Sequence, residues 1–447
     1  MITLHEGDNR DTLRRLIADG VRVHSVVCDP PYGMTSITKR FGKDNAAAAK
    51  FGSDGAFKRA SAGFMGSKWD GTGIERDPEF WALIYDILLP GGYCVAFSAA
   101  RTGHWQACAM EMGGFVMHPF LGWIYGSGFP KAHNAAMAID RELGAEAGFI
   151  PTGNAVKRMI PGADQNATGD WTKTDEREYQ PGKRVAGSPE AAQWQGWAYG
   201  GQALKPALEP IFVGQKPFSE KNGALNLLKH GVGAINIDGC RVATDETITA
   251  TRNTALGRMN DDGWKPTPGV YEQQPGGRHP ANLLHDGSDE VVAMFPAKAG
   301  AAAPVKGTEK SRTGDENTVC YGEFNRVASV HHGDTGSAAR FFNSFPLDAD
   351  PVFYQAKATK ADRAGSKHPT VKPVALMQWL VRLVTPPNGT VLDPFAGSGT
   401  TAEAARREGF DCILMEAEAQ FAADIRARFG IDQFEDLLGG NFADLLG

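Results

Sequence analysis

Two short motifs near opposite ends of the chain carry groups suited to moving a small substituent onto nitrogen. Residues 29–32 read Asp-Pro-Pro-Tyr and supply a carboxylate, a rigid peptide carbonyl and an aromatic face. An amino group on a flat ring is a poor nucleophile, because its lone pair is delocalised into the ring. Two acceptors, the Asp29 carboxylate and the Pro30 carbonyl, would draw its hydrogens out of plane and direct the lone pair at an electrophile. The first motif therefore predicts chemistry on an exocyclic amine; taken alone, it also fits a tight turn after a strand.

The second motif, residues 393–401, reads Asp-Pro-Phe-Ala-Gly-Ser-Gly-Thr-Thr. Gly397 and Gly399 would let the backbone turn tightly against a ligand, and their spacing also matches the dinucleotide fingerprint. A carboxylate at Asp393 would repel a pyrophosphate but could hold the ammonium group of an amino acid. A nucleoside-triphosphate loop is excluded, because no lysine follows Gly399. The motif favours S-adenosylmethionine, whose ribose hydroxyls Glu416 would bind at the end of a later apolar strand.

The segments before both motifs are typical of buried parallel strands, at residues 23–28 and 390–392. Helical patterns at residues 78–89 and 101–112 flank another buried strand at 93–97. Alternating strands and helices predict a doubly wound, mostly parallel sheet. Both motifs would then lie at the carboxyl edge of one sheet, where open α/β folds bind ligands.

The two motifs, in this order, resemble the DNA amino-methyltransferases that modify N6 of adenine or N4 of cytosine and carry the catalytic motif ahead of the cofactor motif, the β-type permutation. Residues 368–373 read His-Pro-Thr-Val-Lys-Pro and match the H-P-T-x-K-P segment of that family. Phrases at residues 125–131, 204–210 and 278–283 look like those of phage and prophage adenine-specific enzymes. The resemblance covers about half of the chain.

The resemblance implies an α/β fold with a doubly wound, mostly parallel, seven-stranded Rossmann-like methyltransferase sheet that is circularly permuted. Loop-rich insertions would form a target-recognition region. The expected boundaries are residues 1–130 for the catalytic half, 131–208 for an insertion, 209–216 for a return strand to the sheet, 217–350 for the target-recognition insertion and 351–447 for the cofactor-binding half.

The resemblance also assigns roles to individual residues. Tyr32 would stack on a base extruded from the duplex, since a base inside the duplex cannot reach a methyl donor. Asp8 would meet the adenine amino group of the cofactor, although Asp8 and Glu416 also fit ordinary helix caps. The segment around Lys372 would line the methionine end of the cofactor, although its prolines also fit a helix start. The predicted catalytic residues are Asp29, Pro30, Pro31 and Tyr32, and the predicted residues that bind S-adenosyl-L-methionine are Asp8, Asp393, Pro394, Phe395, Gly397, Ser398, Gly399, Thr400, Glu416, His368, Thr370 and Lys372.

The distribution of charge points to a nucleic-acid partner despite the net charge of −6. Phosphate binding usually leaves a basic surface, and here the acidic excess lies in the segment after Pro373. The stretch between Gly33 and Lys68 is basic and rich in Gly, Ala and Ser. We interpret it as a loop that closes over a phosphate backbone, and a solvated loop without that contact is the alternative. The predicted DNA-binding residues are Lys39, Arg40, Lys43, Lys58 and Arg59.

Composition is typical of an enzyme of the cytoplasm, and the resemblance implies association with the nucleoid of a bacterial or phage-infected cell. The chain has no apolar run of membrane-spanning length and no signal-peptide core at its start. The six cysteines include no C-x-x-C pair, so neither a zinc site nor a disulfide framework is expected. We expect double-stranded DNA as the partner, with no metal and no membrane, and the resemblance allows a homodimer and a restriction endonuclease partner.

The first residue of the catalytic motif favours adenine over cytosine as the target base. Cytosine-modifying members of the resembled family more often have Ser in place of Asp29, so N6 of adenine is the prediction and N4 of cytosine the alternative. A protein-glutamine methyltransferase is a further alternative, because enzymes whose related motif begins with Asn methylate glutamine in proteins. A DNA-binding protein that has lost catalysis is the remaining alternative, and the intact motifs argue against it.

The basic loop generates a testable prediction. Changing Lys39, Arg40 and Lys43 together to Gln should weaken DNA binding and reduce the slope of log affinity against log salt concentration by about 2 to 3, because each phosphate contact releases about one counterion. Fluorescence anisotropy with a short duplex at several salt concentrations measures both quantities. An unchanged slope would leave the loop without its predicted contact.

Overall fold

The computed structural model describes residues 1–33, 72–128, 130–153, 156–157, 178–244, 249–254, 267–272, 277–299, 336–345, 360–366, 368 and 370–431. The predicted DNA-binding residues Lys39, Arg40, Lys43, Lys58 and Arg59 therefore lie outside the described residues, and their role stays a prediction.

A nine-stranded sheet forms the centre of the protein. In spatial order its strands are β1-β9-β8-β2-β3-β5-β4-β6-β7. All neighbours pair in parallel except β5, which runs antiparallel to both β3 and β4. The sheet is therefore mostly parallel, as the alternation of strands and helices predicts. The strands are β1 (Ile2–Glu6), β2 (Val23–Cys28), β3 (Leu88–Phe97), β4 (Val116–Ile124), β5 (Leu208–Gln215), β6 (Leu283–His285), β7 (Asn343–Ser344), β8 (Thr390–Asp393) and β9 (Asp411–Glu416).

The expectation of seven strands is wrong, because β6 and β7 extend the sheet beyond β4. Both come from the stretch that we expected to be an insertion, and β6 pairs in parallel with β4 through Leu283, Leu284 and His285. Segments of two and three residues are too short to show the period of two that identifies a strand. Strand β6 pairs with the edge of β4 and β7 pairs with β6, and no local sequence pattern reveals these partners.

Helices cover both faces of the sheet. The chain places α1, α2 and α3 against one face and α6, α7 and α8 against the other. Asp8 and Asp77 cap α1 and α2 by accepting backbone N–H bonds in the first turn, a common helix start. The helices of eight or more residues are α1 (Asn9–Ala18), α2 (Pro78–Ile87), α3 (Gly103–Met112), α4 (Ala135–Leu143), α5 (Gly223–His230), α6 (Val374–Val384), α7 (Thr400–Glu408) and α8 (Ala419–Phe429).

The core consists of two apolar layers separated by the sheet. Alternate strand residues point to opposite faces, so Val27 and Val95 pack with α6 and α7, whereas Val26 and Cys94 pack with α1 and α2. Most side chains of α6 are buried, which explains why this segment is apolar on almost every side. The strands that end in the two motifs are therefore held rigidly from both faces.

Smaller elements lie outside the central sheet. Four antiparallel two-stranded ribbons pair residues 131–134 with 198–202, 148–151 with 182–185, 156–157 with 178–179, and 249–254 with 267–272. Across the described residues, no helix combines the length and apolar character needed to cross a bilayer. The same residues contain no group of three or more His, Cys, Asp or Glu side chains arranged to hold a metal ion.

Candidate active site

The two motifs leave the sheet side by side. Strand β2 pairs in parallel with β8, with Ser25 opposite Val391 and Val26 opposite Leu392. Asp393 ends β8, and Asp29 follows the last residue of β2. Residues that are far apart in sequence thus meet at the carboxyl edge of the sheet, where the parallel-strand pattern places a ligand site.

A cavity of about 1800 Å³ opens at this edge. Small-molecule sites usually occupy about 300–1,000 Å³, so the space exceeds what one ligand of cofactor size needs. All the predicted catalytic residues line it, and so do all the predicted cofactor residues except Gly399. Gly399 lies behind the surface as the N-cap of α7, with a φ of 76° that favours glycine, and a Cβ there would meet the ring of Phe429 at 2.9 Å. It shapes the turn without lining the cavity.

Backbone amides hold the carboxylate of Glu416 at one end of the cavity. Its Oε2 accepts from the N–H of Gly397 at 2.7 Å, and its Oε1 accepts from the N–H of Glu418 at 2.9 Å. Burial raises the pKa of Glu416 to about 7, and these hydrogen bonds oppose the rise. The end of β9 and the glycine turn are therefore locked together through one acid.

Asp393 lies deeper, beneath the glycine turn. Its Oδ1 accepts from the N–H of Phe395 at 2.9 Å, and its Oδ2 accepts from the hydroxyl of Thr401. Burial raises the pKa of this carboxyl to about 7 as well. Two buried acids with raised pKa values lie at this end of the cavity, which therefore suits a ligand that carries positive charge and hydroxyl groups.

Asp8 caps a helix, which is one of its two predicted roles, and its contact with the cofactor stays a prediction. Its Oδ1 accepts from the N–H of Arg10 at 2.8 Å, which is an N-cap bond, and the side chain also lines the cavity. The next residue, Asn9, donates to the carbonyl of Pro394 at 3.0 Å. The start of α1 is thereby fastened to the cofactor motif, a contact that the sequence pattern did not predict.

At the other end of the cavity, Asp29 is paired with Lys372. The Nζ of Lys372 donates to Asp29 Oδ2 at 2.5 Å and to the hydroxyl of Tyr32 at 3.0 Å. The Lys372 side chain is 6% exposed, and burial lowers its pKa, an effect that the carboxylate of Asp29 opposes. The other oxygen of Asp29, Oδ1, is buried and has no hydrogen-bond partner among the described residues. Asp29 is thus fixed by one oxygen and has the other free to accept.

Side chains from neighbouring elements hold the backbone from Tyr32 to Gly33. The Thr102 hydroxyl donates to the carbonyl of Tyr32 at 2.8 Å, and Arg76 donates to the carbonyl of Gly33 at 2.7 Å. Gly33 has a φ of 55°, and a Cβ there would lie 1.9 Å from Oε1 of Glu75. The aromatic ring therefore has a defined position at the mouth of the cavity.

His368 lies between the two ends of the cavity. Its ring packs edge-on against Phe421 with a centroid distance of 4.5 Å, and a Cβ on Gly397 would lie 3.3 Å from its Nε2. Burial lowers the pKa of His368 to about 4, so the ring is neutral near pH 7. Thr370 lines the cavity nearby.

Sequence reasoning missed Glu209 as a site residue. It is the second residue of β5, is 5% exposed and lines the cavity, and its Oε2 accepts from the Tyr32 hydroxyl at 3.3 Å. The phrase at residues 204–210 resembles part of phage enzymes, but that resemblance supplied no mechanism. The available signal was a glutamate inside an apolar strand, since an acid is rarely buried there without a partner.

A family model for DNA methylases, N6_N4_Mtase, matches residues 191–427, just over half of the chain. The matched range contains Glu209, Lys372, Asp393 and Glu416, and it begins after Asp29.

Individual relatives match shorter stretches. The chain is 50% identical over 54 residues to the putative methylase YubD of Escherichia coli (strain K12), covering 12% of this chain and 24% of that protein. It is 38% identical over 69 residues to the type II methyltransferase M2.DpnII of Streptococcus pneumoniae, covering 15% and 26%. These matches span about a quarter of each relative's length. The crystal structure of the M1.HpyAVI–SAM complex aligns over 96% of this chain and 100% of that one, at 13% identity and a TM-score of 0.38, which is too low to add to the fold described above.

The raised pKa of Glu416 predicts a pH-dependent stability. In the unfolded chain this carboxyl titrates near its ordinary 4.5, and in the folded protein near 7. Its contribution therefore destabilises the fold progressively as the pH rises from about 4.5 to 7, by up to about 3 kcal/mol. Glu416→Gln cannot ionise, so its free energy of unfolding relative to the natural protein should be higher at pH 8 than at pH 5.

Urea unfolding at both pH values measures this difference. Glu111→Gln, which changes an exposed acid on α3, is the matched control and should show no such trend. Parallel pH dependence of Glu416→Gln and the natural protein would contradict the raised pKa.

Proposed function

Since the chain belongs to the N6_N4_Mtase family of DNA methylases, we propose that it is an S-adenosylmethionine-dependent methyltransferase that acts on the exocyclic N6 of an adenine flipped out of double-stranded DNA. The observation that carries this proposal is the pairing of Asp29 with Lys372. It fixes one carboxylate oxygen and leaves Oδ1 buried and unpartnered among the described residues, in the same cavity as the acidic end.

The acidic end of the cavity fits S-adenosylmethionine. The ligand carries a sulfonium and an ammonium group, and Asp393 and Glu416 offer buried carboxylates of the opposite charge. Glu416 has lone pairs left for ribose hydroxyls, and Asp8 faces the same space. When bound, the cofactor supplies an activated methyl group, so the chain itself needs to provide orientation, exclusion of water and proton acceptance.

The catalytic end of the cavity fits an amino group on a flat ring. Asp29 Oδ1 would accept one amine hydrogen and the carbonyl of Pro30 the other, which directs the nitrogen lone pair towards the acidic end. As the new nitrogen–carbon bond formed, the bond between the methyl carbon and the sulfonium sulfur would break and leave a neutral thioether. The methylated amine would become acidic, and Asp29 would take its proton. Tyr32 would stack on the base, with its hydroxyl held by Lys372 and Glu209 and its carbonyl held by Thr102.

The size of the cavity supports simultaneous occupation by two ligands. Methyl transfer requires donor and acceptor together, and about 1800 Å³ leaves room for a base beside the cofactor. An N4-cytosine target is the second candidate, since its amine presents the same two hydrogens. The Asp at position 29 favours adenine, and we infer the β-type order of motifs from their positions in the chain.

Replacing Asp29 tests the catalytic assignment. Asp29→Ala should retain cofactor binding and lose about 30-fold to over 100-fold in turnover, because it removes a charged hydrogen bond worth about 2–3 kcal/mol. Transfer of a labelled methyl group to DNA measures the rate, and mass spectrometry of digested nucleosides identifies the base. Asp11→Asn, on an exposed part of α1, is the control for a lost carboxylate. Near-normal turnover of Asp29→Ala would contradict the assigned geometry. If N4-methylcytosine were the sole product, the target base would be cytosine and not adenine.

Cofactor affinity should depend on pH. Because the pKa values of Asp393 and Glu416 lie near 7, lowering the pH from 8 to 6 protonates the acids that face the cationic ligand. The dissociation constant for S-adenosylmethionine should rise by about tenfold for each acid that must be ionised. Isothermal titration calorimetry at the two pH values measures this, and Glu416→Gln should bind more weakly with a smaller pH response. An affinity independent of pH would contradict the placement of the cofactor.

A further inference from the structure

Glu209 lies across the cavity from the acidic end, next to the catalytic motif. It belongs to β5, the one antiparallel strand between β3 and β4. Its carboxylate is 5% exposed, and buried acids are rare unless they are paired. Its contacts include Tyr32 and Lys372, two side chains that the transfer reaction would use.

The hydrogen bonds among these groups have a single direction. A lysine ammonium can only donate, so the Tyr32 hydroxyl accepts from Lys372 at 3.0 Å. The hydroxyl then has its one hydrogen for Glu209 Oε2, 3.3 Å away. The chain Lys372 to Tyr32 to Glu209 therefore fixes the outer end of the tyrosine ring, while Thr102 fixes its backbone carbonyl.

Lys372 also has Glu209 as a second counter-ion. Its Nζ lies 2.5 Å from Asp29 Oδ2 and 3.7 Å from Glu209 Oε2. The ammonium is further enclosed by aromatic rings, 4.7 Å from the centroid of Phe97 and 5.2 Å from that of Tyr32. The nearby ring of His368 is neutral at pH 7. Two acids thus share one buried cation.

This sharing has a consequence during methyl transfer. When Asp29 takes the proton released by the methylated amine, it loses its charge and ceases to be a counter-ion. A buried ammonium without a carboxylate is costly, and burial already lowers the pKa of Lys372. Glu209 is close enough to Lys372 to remain its counter-ion. It is also available for this role, since the amine would use Asp29 and the Pro30 carbonyl as its acceptors.

We propose that Glu209 is a positioning residue for the transfer reaction, which orients the Tyr32 ring and remains the counter-ion of Lys372 while Asp29 carries the substrate proton. The inference rests on the proposed function. It assigns to Glu209 a task that the two sequence motifs do not include. Lys372 then keeps its positive charge and its hydrogen bond to Asp29 throughout the reaction.

A charge-only substitution tests the kinetic part. Glu209→Gln keeps the size of the side chain and an acceptor for the Tyr32 hydroxyl. It should lower kcat by about tenfold or more with little change in KM for DNA or cofactor, because it removes a charged partner from the reacting assembly. Loss of the negative charge also lowers the pKa of Lys372, so the alkaline limb of the kcat–pH profile should move to lower pH. A merely structural role would leave that limb in place.

Controls separate the two tasks of Glu209. Tyr32→Phe breaks the hydroxyl bridge and leaves the counter-ion, so it should lower kcat without moving the alkaline limb as far as Glu209→Gln does. Glu290→Gln removes an exposed acid that pairs with Lys205 and should behave like the natural protein. Glu209→Asp keeps the charge and should restore the position of the limb. If the alkaline limb of the kcat–pH profile lay at the same pH in the natural protein and in Glu209→Gln, the proposal would be overturned.

A titration without substrate keeps this inference separate from the proposed function. Carbon-13 NMR of the lysine Cε signal, assigned to Lys372 by its absence in Lys372→Met, follows the ammonium in the free protein. Its pKa should fall in Glu209→Gln and should stay close to that of the natural protein in Glu209→Asp, because the aspartate keeps the negative charge. An unchanged pKa would overturn the counter-ion role even if methylation were observed. Lack of methylation on every DNA tested, together with a lowered Lys372 pKa, would sink the proposed function and leave the charge coupling standing.

Discussion

Parallel pairing between β2 and β8 is the constraint on which the cavity depends. It brings the ends of two strands to one edge of the sheet although Asp29 and Asp393 come from opposite ends of the chain. Apolar layers on both faces hold these strands, so the acids at their ends keep their positions without help from a ligand. The ion pair between Asp29 and Lys372 adds a second connection across the same gap.

Charge within the cavity is unevenly balanced. Among the described residues, Asp29, Glu209, Asp393 and Glu416 are buried or largely buried acids that face the space, and Lys372 is a buried ammonium beside two of them. Desolvation makes uncompensated carboxylates costly, which the raised pKa values at the acidic end reflect. A cationic ligand relieves that cost where two acids lie together. At the other end, Lys372 compensates the charges of Asp29 and Glu209 without any ligand.

The sequence was most informative about residues whose position follows from the strand that precedes them. Buried strands followed by acid-containing turns predicted that Asp29 and Asp393 would share a sheet edge, because strand periodicity and parallel topology are general rules. It was least informative where long-range partners decide. Strand β6 has three residues and exists through pairing with β4, and Glu209 is explained only by Tyr32 and Lys372, which come from distant parts of the chain. The direction of the Lys372 side chain was likewise invisible, since the motif around it identifies a segment and not a contact.

The backbone at Gly33 marks a junction in the chain. Its carbonyl is held by Arg76, its φ favours glycine, and Glu75 occupies the space that any side chain would need. A larger residue at this position would push Glu75 aside, loosen the hold of Arg76 on the carbonyl and shift the turn that follows the catalytic tyrosine, so variation here is confined to one residue type.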